Sequence, residues 1–279
     1  MAKLIPRPSF KKPSLPSFHY PHFGPCIQKL RPERESPDLE FAPNGVVASG
    51  RENFQLPSRR AHRQDFLVQI IPYLLVAVAG YLAGSLPTGY LAARARGIDI
   101  RTVGSKNMGA TNVFRVLGKG PGILVLFVDA LKGFAAVAWI APALLSVIGA
   151  ANPTPPNSHV LAGISAVLGH NYTCWLQFKG GKGIATTAGV YVALAPLSVS
   201  LALGVWILLF FATRYVSVAS IAAAIALPAA VWVTERSLLL GLVTTGLGVM
   251  AIYKHKANIQ RLLNGTENRI QFKKEKPAA

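Results

Sequence analysis

Long apolar runs alternate with short basic loops along most of this 279-residue chain. Seven apolar segments have helical length, and they cover residues 67–92, 122–148, 159–175, 184–196, 198–213, 216–233 and 237–253. A single membrane crossing needs about 20 apolar residues, so the third and fourth segments are short. We expect these two to be tilted helices or half-helices packed inside a bundle. The pattern predicts an all-α, polytopic integral membrane protein with about seven transmembrane helices.

Residues 1–65 differ from the rest of the chain because they show no apolar period and contain half of the 20 prolines. We interpret this stretch as a disordered N-terminal extension, and it can also be a leader or a mispredicted start. Its acidic residues make it a poor transit peptide, although a plastid targeting segment stays open as an alternative. The predicted membrane domain then covers 66–255, and a cytoplasmic C-terminal tail covers 256–279.

The chain is strongly basic, with 29 Lys and Arg residues against 11 Asp and Glu residues. Nucleic-acid binding is disfavoured because the basic residues flank apolar segments, which is a common signal of membrane topology. The positive-inside rule places the loops at 94–120 and 177–183 and the C-terminus in the cytoplasm. Seven crossings would then put the basic start of the first helix outside. Either the extension is absent from the mature protein or the helix count is wrong by one.

The first of two glycine-rich cationic loops covers residues 104–115 and is named here the first glycine loop. Glycine backbone, short polar side chains and an arginine together favour an anion-binding turn, in which a guanidinium can hold phosphate with two parallel bonds. The alternative is an ordinary cytoplasmic loop with topology charges. The candidate ligands for an anion are Ser105, Asn107, Gly109, Thr111 and Arg115.

The second glycine loop covers residues 178–183, with the sequence Phe-Lys-Gly-Gly-Lys-Gly. It resembles part of a phosphate-binding P-loop, but Gly183 follows Lys182 where that motif requires Ser or Thr. We therefore infer no nucleotide binding. Lys182 in a glycine-rich turn at a helix start still indicates an anion site, and a solvated basic turn is the equally weighted alternative.

One acidic and one basic side chain, Asp129 and Lys132, lie three residues apart inside the second apolar segment. Charges in a membrane helix usually pair or line a polar cavity, and we favour a structural ion pair over a catalytic role. The two cysteines show no metal-ligand spacing and imply no disulfide framework. We expect neither a cofactor nor a metal.

Polar residues with helical spacing occur at the edges of the last two apolar segments. His255 and Asn258 share a helix face if the last helix continues, and Ser217 and Ser220 share one in the preceding segment. A lone His170 near the end of the third segment is more typical of a satisfied interfacial residue than of a catalytic base. Spacing alone makes each of these a weak signal.

Taken together, these motifs resemble the bacterial acyl-phosphate:glycerol-3-phosphate acyltransferase family of the PlsY type. The resemblance covers about residues 67–270, and its motifs run in the family order. The chain departs from the family in its long N-terminal extension and at Lys106, where the family usually has glycine. The stretches that carry the resemblance are 84–90, 104–115, 129–133, 169–170, 178–186, 214–220 and 255–267.

The resemblance implies a seven-helix membrane enzyme that transfers a fatty acyl group from acyl phosphate to the sn-1 hydroxyl of glycerol 3-phosphate. The products would be lysophosphatidic acid and phosphate, in the first step of membrane phospholipid biosynthesis. It also implies a bacterial inner (plasma) membrane, with the active site on the cytoplasmic face. We expect a monomer.

The family's substrate contacts fall on Ser105, Arg115, Lys182, Ser220, His255 and Asn258, with Ser217 less securely placed than Ser220. We predict catalytic roles for Lys182 and His255, and substrate binding by Ser105, Asn107, Gly109, Thr111, Arg115, Ser220 and Asn258. The general base stays open between His255 and the phosphate of the acyl donor.

Two other classes of protein compete with the enzyme. The short segments and intramembrane charges would suit a transporter of a phosphorylated anion. The polar motifs of this chain gather on one face of the membrane, however, which favours chemistry at the interface over alternating access. A non-catalytic relative that acts as a scaffold is disfavoured by the retention of Lys182, His255 and Asn258.

Overall fold

The computed structural model describes the backbone of residues 59–149 and 156–270, with side chains over 70–149 and 157–270. The regular secondary structure of these residues is helical, with no β-strand among them, so the all-α prediction is confirmed for them. In chain order the helices are α1 (Arg59–Ser85), α2 (Thr88–Arg94), α3 (Ala110–Leu117), α4 (Lys119–Ala135), α5 (Ala141–Val147), α6 (Pro156–Asn171), α7 (Ile184–Leu194), α8 (Pro196–Thr213), α9 (Val216–Thr234), α10 (Leu238–Lys254) and α11 (Lys256–Leu263).

The apolar helices fall at the seven predicted positions. Four crossings are long and apolar enough by themselves: Ile70–Arg94, Lys119–Val147, Pro196–Thr213 and Val216–Thr234. The pair α10 and α11 makes a fifth if it is counted as one bent span. Helices α6 and α7 have 16 and 11 residues, which confirms that the third and fourth segments are short. At 1.5 Å per residue, α7 reaches only about 16 Å into the bundle.

Two of the predicted segments are interrupted helices. The first divides into α1 and α2 around Leu86 and Pro87, because proline cannot donate a backbone hydrogen bond. The second runs through α4 and α5 by way of a π-helical turn at Ala136–Ile140. His159 Nδ1 lies 3.0 Å from the Val137 carbonyl oxygen within that turn, and so provides a partner for this backbone group.

The predicted chain ends are only partly described. Most of the predicted extension at 1–65 lies outside the described residues, but α1 already begins at Arg59, so 59–65 are helical there. The predicted C-terminal tail at 256–279 begins with α11, which is bent by 53° from α10. Its last residues, 271–279, lie outside the described part, as do 150–155.

Close helix packing depends on glycines whose missing side chain leaves room for a neighbouring backbone. A Cβ at Gly84 in α1 would overlap the Ala166 carbonyl in α6. Between α4 and α7, a Cβ at Gly189 would overlap the Ala130 carbonyl, and one at Gly133 would overlap the Thr186 carbonyl. Small residues permit this approach between apolar helices, for which burial supplies little driving force in lipid. The short α7 is therefore held against α4 by backbone-to-backbone contact.

A buried polar network joins α2, α4 and α6, and we define it by Thr88, Asp129, Lys132 and His170. Asp129 Oδ1 accepts a hydrogen bond from Thr88 Oγ1 at 2.5 Å and lies 2.8 Å from Lys132 Nζ. Lys132 Nζ also donates to the Leu86 carbonyl at 2.9 Å, at the break between α1 and α2. The predicted ion pair is confirmed, and its lysine is a second donor to the Leu86 carbonyl, which also accepts from the Thr88 N–H at 3.0 Å.

Candidate active site

The second glycine loop is folded against the C-terminal end of α6. The N–H groups of Gly180 and Gly181 donate to the carbonyls of Asn171 and His170, at 3.2 and 3.0 Å. A Cβ at Gly180 would overlap the His170 carbonyl, and a Cβ at Gly181 would overlap the imidazole of His170. The two glycines are therefore required by close approach to α6.

The same loop leads directly into α7. Gly183 is the N-cap of α7 and has φ +83°, a left-handed conformation that glycine adopts without steric cost. Lys182 thus stands immediately before a helix N-terminus, where free N–H groups and the helix dipole favour an anion. The tertiary structure supports the prediction of an anion site at Lys182 through this placement.

A chain of polar contacts extends from Lys182 into α11 and beyond. Lys182 Nζ donates to Asn258 Oδ1, and Asn258 Nδ2 donates to Glu267 Oε1 at 2.8 Å. Arg261 Nε donates to Glu267 Oε2 at 2.6 Å. Because its oxygen faces a lysine and its nitrogen faces a carboxylate, the Asn258 amide has one orientation.

Arg261 and Glu267 are part of this cluster but were absent from the predicted site. Arg261 follows His255 and Asn258 at three-residue spacing, so a continued helix face would have indicated it. Glu267 is one of only five acidic residues in 66–279, and it closes the resembling motif at 255–267. Its contact with Asn258 depends on the turn after α11, which no spacing rule predicts.

His255 stands at the bend between α10 and α11 and is buried. Its Nδ1 lies 2.8 Å from the Ala251 carbonyl oxygen, one helical turn earlier. A carbonyl can only accept, so Nδ1 carries the proton and a neutral ring keeps its lone pair on Nε2. Lys182 lies close enough to His255 for their charges to interact. This arrangement suits a proton acceptor.

The segment after α11 connects the cluster to α3, α8 and α9. The Asn268 carbonyl accepts a hydrogen bond from Arg115 Nη2 at 3.3 Å, and Ile270 N–H donates to the Arg214 carbonyl at 3.0 Å. Arg115 also lies within charge-interaction range of Lys182. Arg115 is therefore the member of the first glycine loop that the structure brings to the cluster.

The first glycine loop is organised from within by the buried side chain of Asn112. Its Oδ1 accepts from Ser105 N–H at 2.9 Å, and its Nδ2 donates to the carbonyls of Val103 and Asn107 at 3.0 and 2.8 Å. Gly109, the N-cap residue of α3, donates its N–H to Asn107 Oδ1 at 2.8 Å. Asn112 lies within the same stretch of sequence, but its organising role depends on how the loop closes.

The predicted ligands in the first glycine loop form a half-buried turn at the N-terminus of α3. Ser105, Asn107, Gly109 and Thr111 are each half-buried. Lys106 between them has φ +58°, which explains why glycine suits this position. A non-glycine residue in that region costs on the order of 1 kcal/mol.

The two candidate serines of α9 have different neighbours. Ser220 is buried and its Oγ accepts from Trp206 Nε1 at 3.2 Å in α8. Ser217, one turn earlier, lies beside the Glu267 carboxylate. The structure therefore brings Ser217 to the cluster and places Ser220 one turn further along α9.

The cluster carries more positive than negative charge. Arg115, Lys182 and Arg261 face a single carboxylate, that of Glu267, among the described side chains that interact with Lys182. Burial lowers the pKa of Lys182 to about 8, although the Glu267 carboxylate opposes this shift. Burial would raise the pKa of Glu267, but hydrogen bonds from Asn258 and Arg261 outweigh it and hold that pKa below its usual value. Such an excess of cations suits an anionic ligand.

Comparison with known proteins shows which family this chain is similar to. The sequence profile of the glycerol-3-phosphate acyltransferases matches residues 74–265. Glycerol-3-phosphate acyltransferases of Geotalea daltonii and Geobacter sulfurreducens are 45% and 46% identical to this chain. These alignments cover 70% and 71% of this chain and 96% and 97% of the relatives.

Solved structures agree with the sequence comparison. A crystal structure of PlsY, an integral membrane glycerol 3-phosphate acyltransferase, in its glycerol 3-phosphate form matches with a TM-score of 0.64 and 39% identity. The match covers 71% of this chain and 96% of that one. Its lysophosphatidic acid form matches with a TM-score of 0.61, over 71% of this chain and 95% of that one. This chain belongs to the glycerol-3-phosphate acyltransferase family of integral membrane enzymes.

Proposed function

We propose that this enzyme transfers a fatty acyl group from acyl phosphate to the sn-1 hydroxyl of glycerol 3-phosphate. The observation that carries the proposal is the cluster of Arg115, Lys182 and Arg261 around one carboxylate, beside His255 and between helices of a membrane protein. Both substrates are anionic, and their mutual repulsion must be offset where they meet. A family member with a glycerol 3-phosphate form and a lysophosphatidic acid form supports the same acceptor and product here.

In this proposal Lys182 and Arg115 hold substrate phosphate. Lys182 provides a charge at the N-terminus of α7, and Arg115 provides a planar pair of donors. We further propose that Ser105, Asn107 and Gly109 in the turn before α3, and Thr111 in the first turn of α3, complete the phosphate pocket when substrate binds. Asn258 and His255 orient glycerol 3-phosphate. Ser220 stays a predicted substrate contact on α9, one turn beyond Ser217, which lies beside Glu267.

The reaction needs no covalent enzyme intermediate because acyl phosphate is already an activated mixed anhydride. The glycerol hydroxyl oxygen attacks the acyl carbonyl carbon, and the bond from that carbon to the phosphate oxygen then breaks. Inorganic phosphate leaves with the bonding electron pair, and the hydroxyl proton passes to a base. Positioning and charge stabilisation would supply most of the acceleration.

Two groups can accept the hydroxyl proton in this scheme. His255 is favoured by its geometry, since Nδ1 is occupied by the Ala251 carbonyl and Nε2 is left to accept. The phosphate of the acyl donor is the alternative, because it gains negative charge as it leaves. The kinetics of His255→Asn, described in the Discussion, distinguish them.

The proposed location is a bacterial plasma membrane, with the cluster on the cytoplasmic face. The basic loops on both sides of the cluster support this orientation through the positive-inside rule. A plastid membrane would apply instead if the extension is a targeting segment. We propose a monomer as the active unit, since one chain supplies every residue of the cluster.

The test is product formation by the purified protein in lipid or detergent. Glycerol 3-phosphate is supplied with either acyl phosphate or acyl-CoA, and Lys182→Ala is measured beside the wild type. We expect lysophosphatidic acid and phosphate from acyl phosphate alone, and a loss of at least 100-fold in Lys182→Ala. Lys179→Ala is the matched control, because Lys179 lies in the same loop without a contact to Asn258.

Two results would contradict the proposal. Product from acyl-CoA but not from acyl phosphate would overturn the donor. No product from either donor, with the protein folded, would overturn acyl transfer. Uptake of labelled glycerol 3-phosphate into vesicles in that case would support the transporter alternative.

A further inference from the structure

His170 is a buried imidazole that the proposed reaction does not use. It is the second-last residue of α6 and lies between two parts of the molecule with different roles. On one side its Nδ1 is 3.5 Å from Asp129 Oδ1 in the buried polar network. On the other side its ring is covered by Gly181, the residue before Lys182.

His170 and Gly181 are in close contact. Gly181 N–H donates to the His170 carbonyl at 3.0 Å, so the loop backbone is held to the end of α6. A Cβ on Gly181 would meet the imidazole edge at His170 Nε2. Gly181 does not have a positive φ, so alanine fits its backbone conformation without strain. The effect of Gly181→Ala would therefore come from the contact with the imidazole. The second glycine loop thus packs directly against the imidazole.

The imidazole of His170 is in turn packed beside the Asp129 carboxylate. Asp129 Oδ1, which faces His170 Nδ1, also receives Thr88 Oγ1 at 2.5 Å and Lys132 Nζ at 2.8 Å. Contacts from α2 and α4 therefore determine where the carboxylate lies, and the imidazole of His170 in α6 lies 3.5 Å from it. Buried polar groups with several partners have few alternative arrangements.

We propose that His170 is a positioning residue, which fixes the second glycine loop and so directs the Lys182 ammonium to substrate phosphate. Asp129 acts through it by holding the ring against Gly181. This inference rests on the proposed role of Lys182. A phosphate contact displaced by 1 Å can cost about 100-fold in rate. Packing of the loop against the His170 ring therefore has a direct effect on catalysis.

A double-mutant cycle tests the contact between the ring and the loop. Gly181→Ala adds the Cβ that overlaps the imidazole, and we expect kcat/KM to fall about 100-fold. His170→Ala removes the ring and should also lower kcat/KM, because the loop loses the side chain against which Gly181 packs. In the double variant the new methyl group occupies part of the emptied space. We expect its kcat/KM to exceed the product of the two single effects by at least tenfold.

The matched control is Gly204→Ala, since a Cβ at Gly204 in α8 meets nothing within 4 Å. This variant and its combination with His170→Ala should show independent effects on kcat/KM. Thermal unfolding in detergent is recorded for every variant. In the Gly204 cycle, the double variant should show the product of the two single effects on kcat/KM. The same simple product in the Gly181 cycle would overturn the inference.

A second readout separates positioning from folding alone. The alkaline limb of the kcat/KM profile should reflect Lys182, which is surrounded by Arg115, His255, Arg261 and Glu267. His170→Asn, a milder change, should loosen the loop, admit water to the ammonium and move this limb to higher pH. An unchanged limb in a folded His170→Asn variant would overturn the inference.

The proposed function and this inference fail in different ways. Full activity in Lys182→Ala would remove the phosphate role of Lys182 and with it the basis of the inference. Loss of activity in Lys182→Ala, together with independent effects of Gly181→Ala and His170→Ala, would overturn the positioning role alone.

Discussion

At the scale of single residues, the Asn258 amide has the most constrained role in the cluster. Its oxygen accepts from Lys182 and its nitrogen donates to Glu267. The two contacts connect a cation on the second glycine loop to a carboxylate beyond α11. Substrate phosphate would take over Lys182 from Asn258, while Glu267 keeps the amide oriented for the glycerol hydroxyls.

His255→Asn should separate chemistry from binding. Asparagine retains a polar side chain but cannot accept a proton at neutral pH. We expect kcat to fall by about 10² to 10⁴, while KM for glycerol 3-phosphate changes only a few-fold. Steady-state kinetics with acyl phosphate are the measurement.

His159→Asn is the matched control for this substitution, because His159 lies in α6 and contacts the π-helical turn instead of the cluster. It should leave both constants near the wild-type values. A higher KM with kcat preserved in His255→Asn would assign His255 to binding and leave the donor phosphate as the base.

The pH profile should report the charge of Lys182. With a pKa of about 8, lowered by burial, this side chain is protonated below pH 8 and neutral above it. Neutral lysine holds phosphate poorly, so kcat/KM should fall as the pH rises through about 8. Lys182→Arg keeps its charge at high pH and should lose this limb, even if its maximal rate is lower. The same limb in Lys182→Arg would assign it to another group.

At the scale of elements, α7 is too short to cross a membrane but delivers Lys182 to the cluster. Its 11 residues are fixed by backbone contact with α4 at Gly133 and Gly189. The apolar pattern predicted a short segment here. Its neighbours could not be inferred, because a glycine in a helix indicates close packing without naming the partner.

Gly189→Ala should weaken the packing of α7 on α4. The added Cβ would overlap the Ala130 carbonyl, which belongs to a helix and cannot rotate away. We expect a loss of about 1–3 kcal/mol in stability, measured as a lower thermal unfolding midpoint in detergent. Gly246→Ala in α10, which has open space around its Cβ, should have little effect. Equal midpoints for the two variants would contradict close α4–α7 contact.

At the scale of the whole molecule, the charged residues divide between two locations. The pair of Asp129 and Lys132 lies within the bundle and joins α4 to α2 and to the break between α1 and α2. Arg115, Lys182 and Arg261 gather where loops and helix ends meet. His170 lies between the two groups, so a network within the bundle reaches the candidate site through one side chain.

The sequence by itself determined the positions of the apolar helices and the two glycine loops. Its family resemblance indicated Arg115, Lys182, His255 and Asn258, which the structure brings together. Helical period, glycine content and charge are local properties, and they follow directly from residue order. Only the tertiary structure decided that Glu267 and Arg261 complete the cluster, that Ser217 is beside Glu267, and that His170 supports the second glycine loop. These contacts join residues that are distant in sequence or separated by turns, so their geometry depends on how helices pack. Packing in turn depends on backbone approach at a few glycines, which local pattern does not specify.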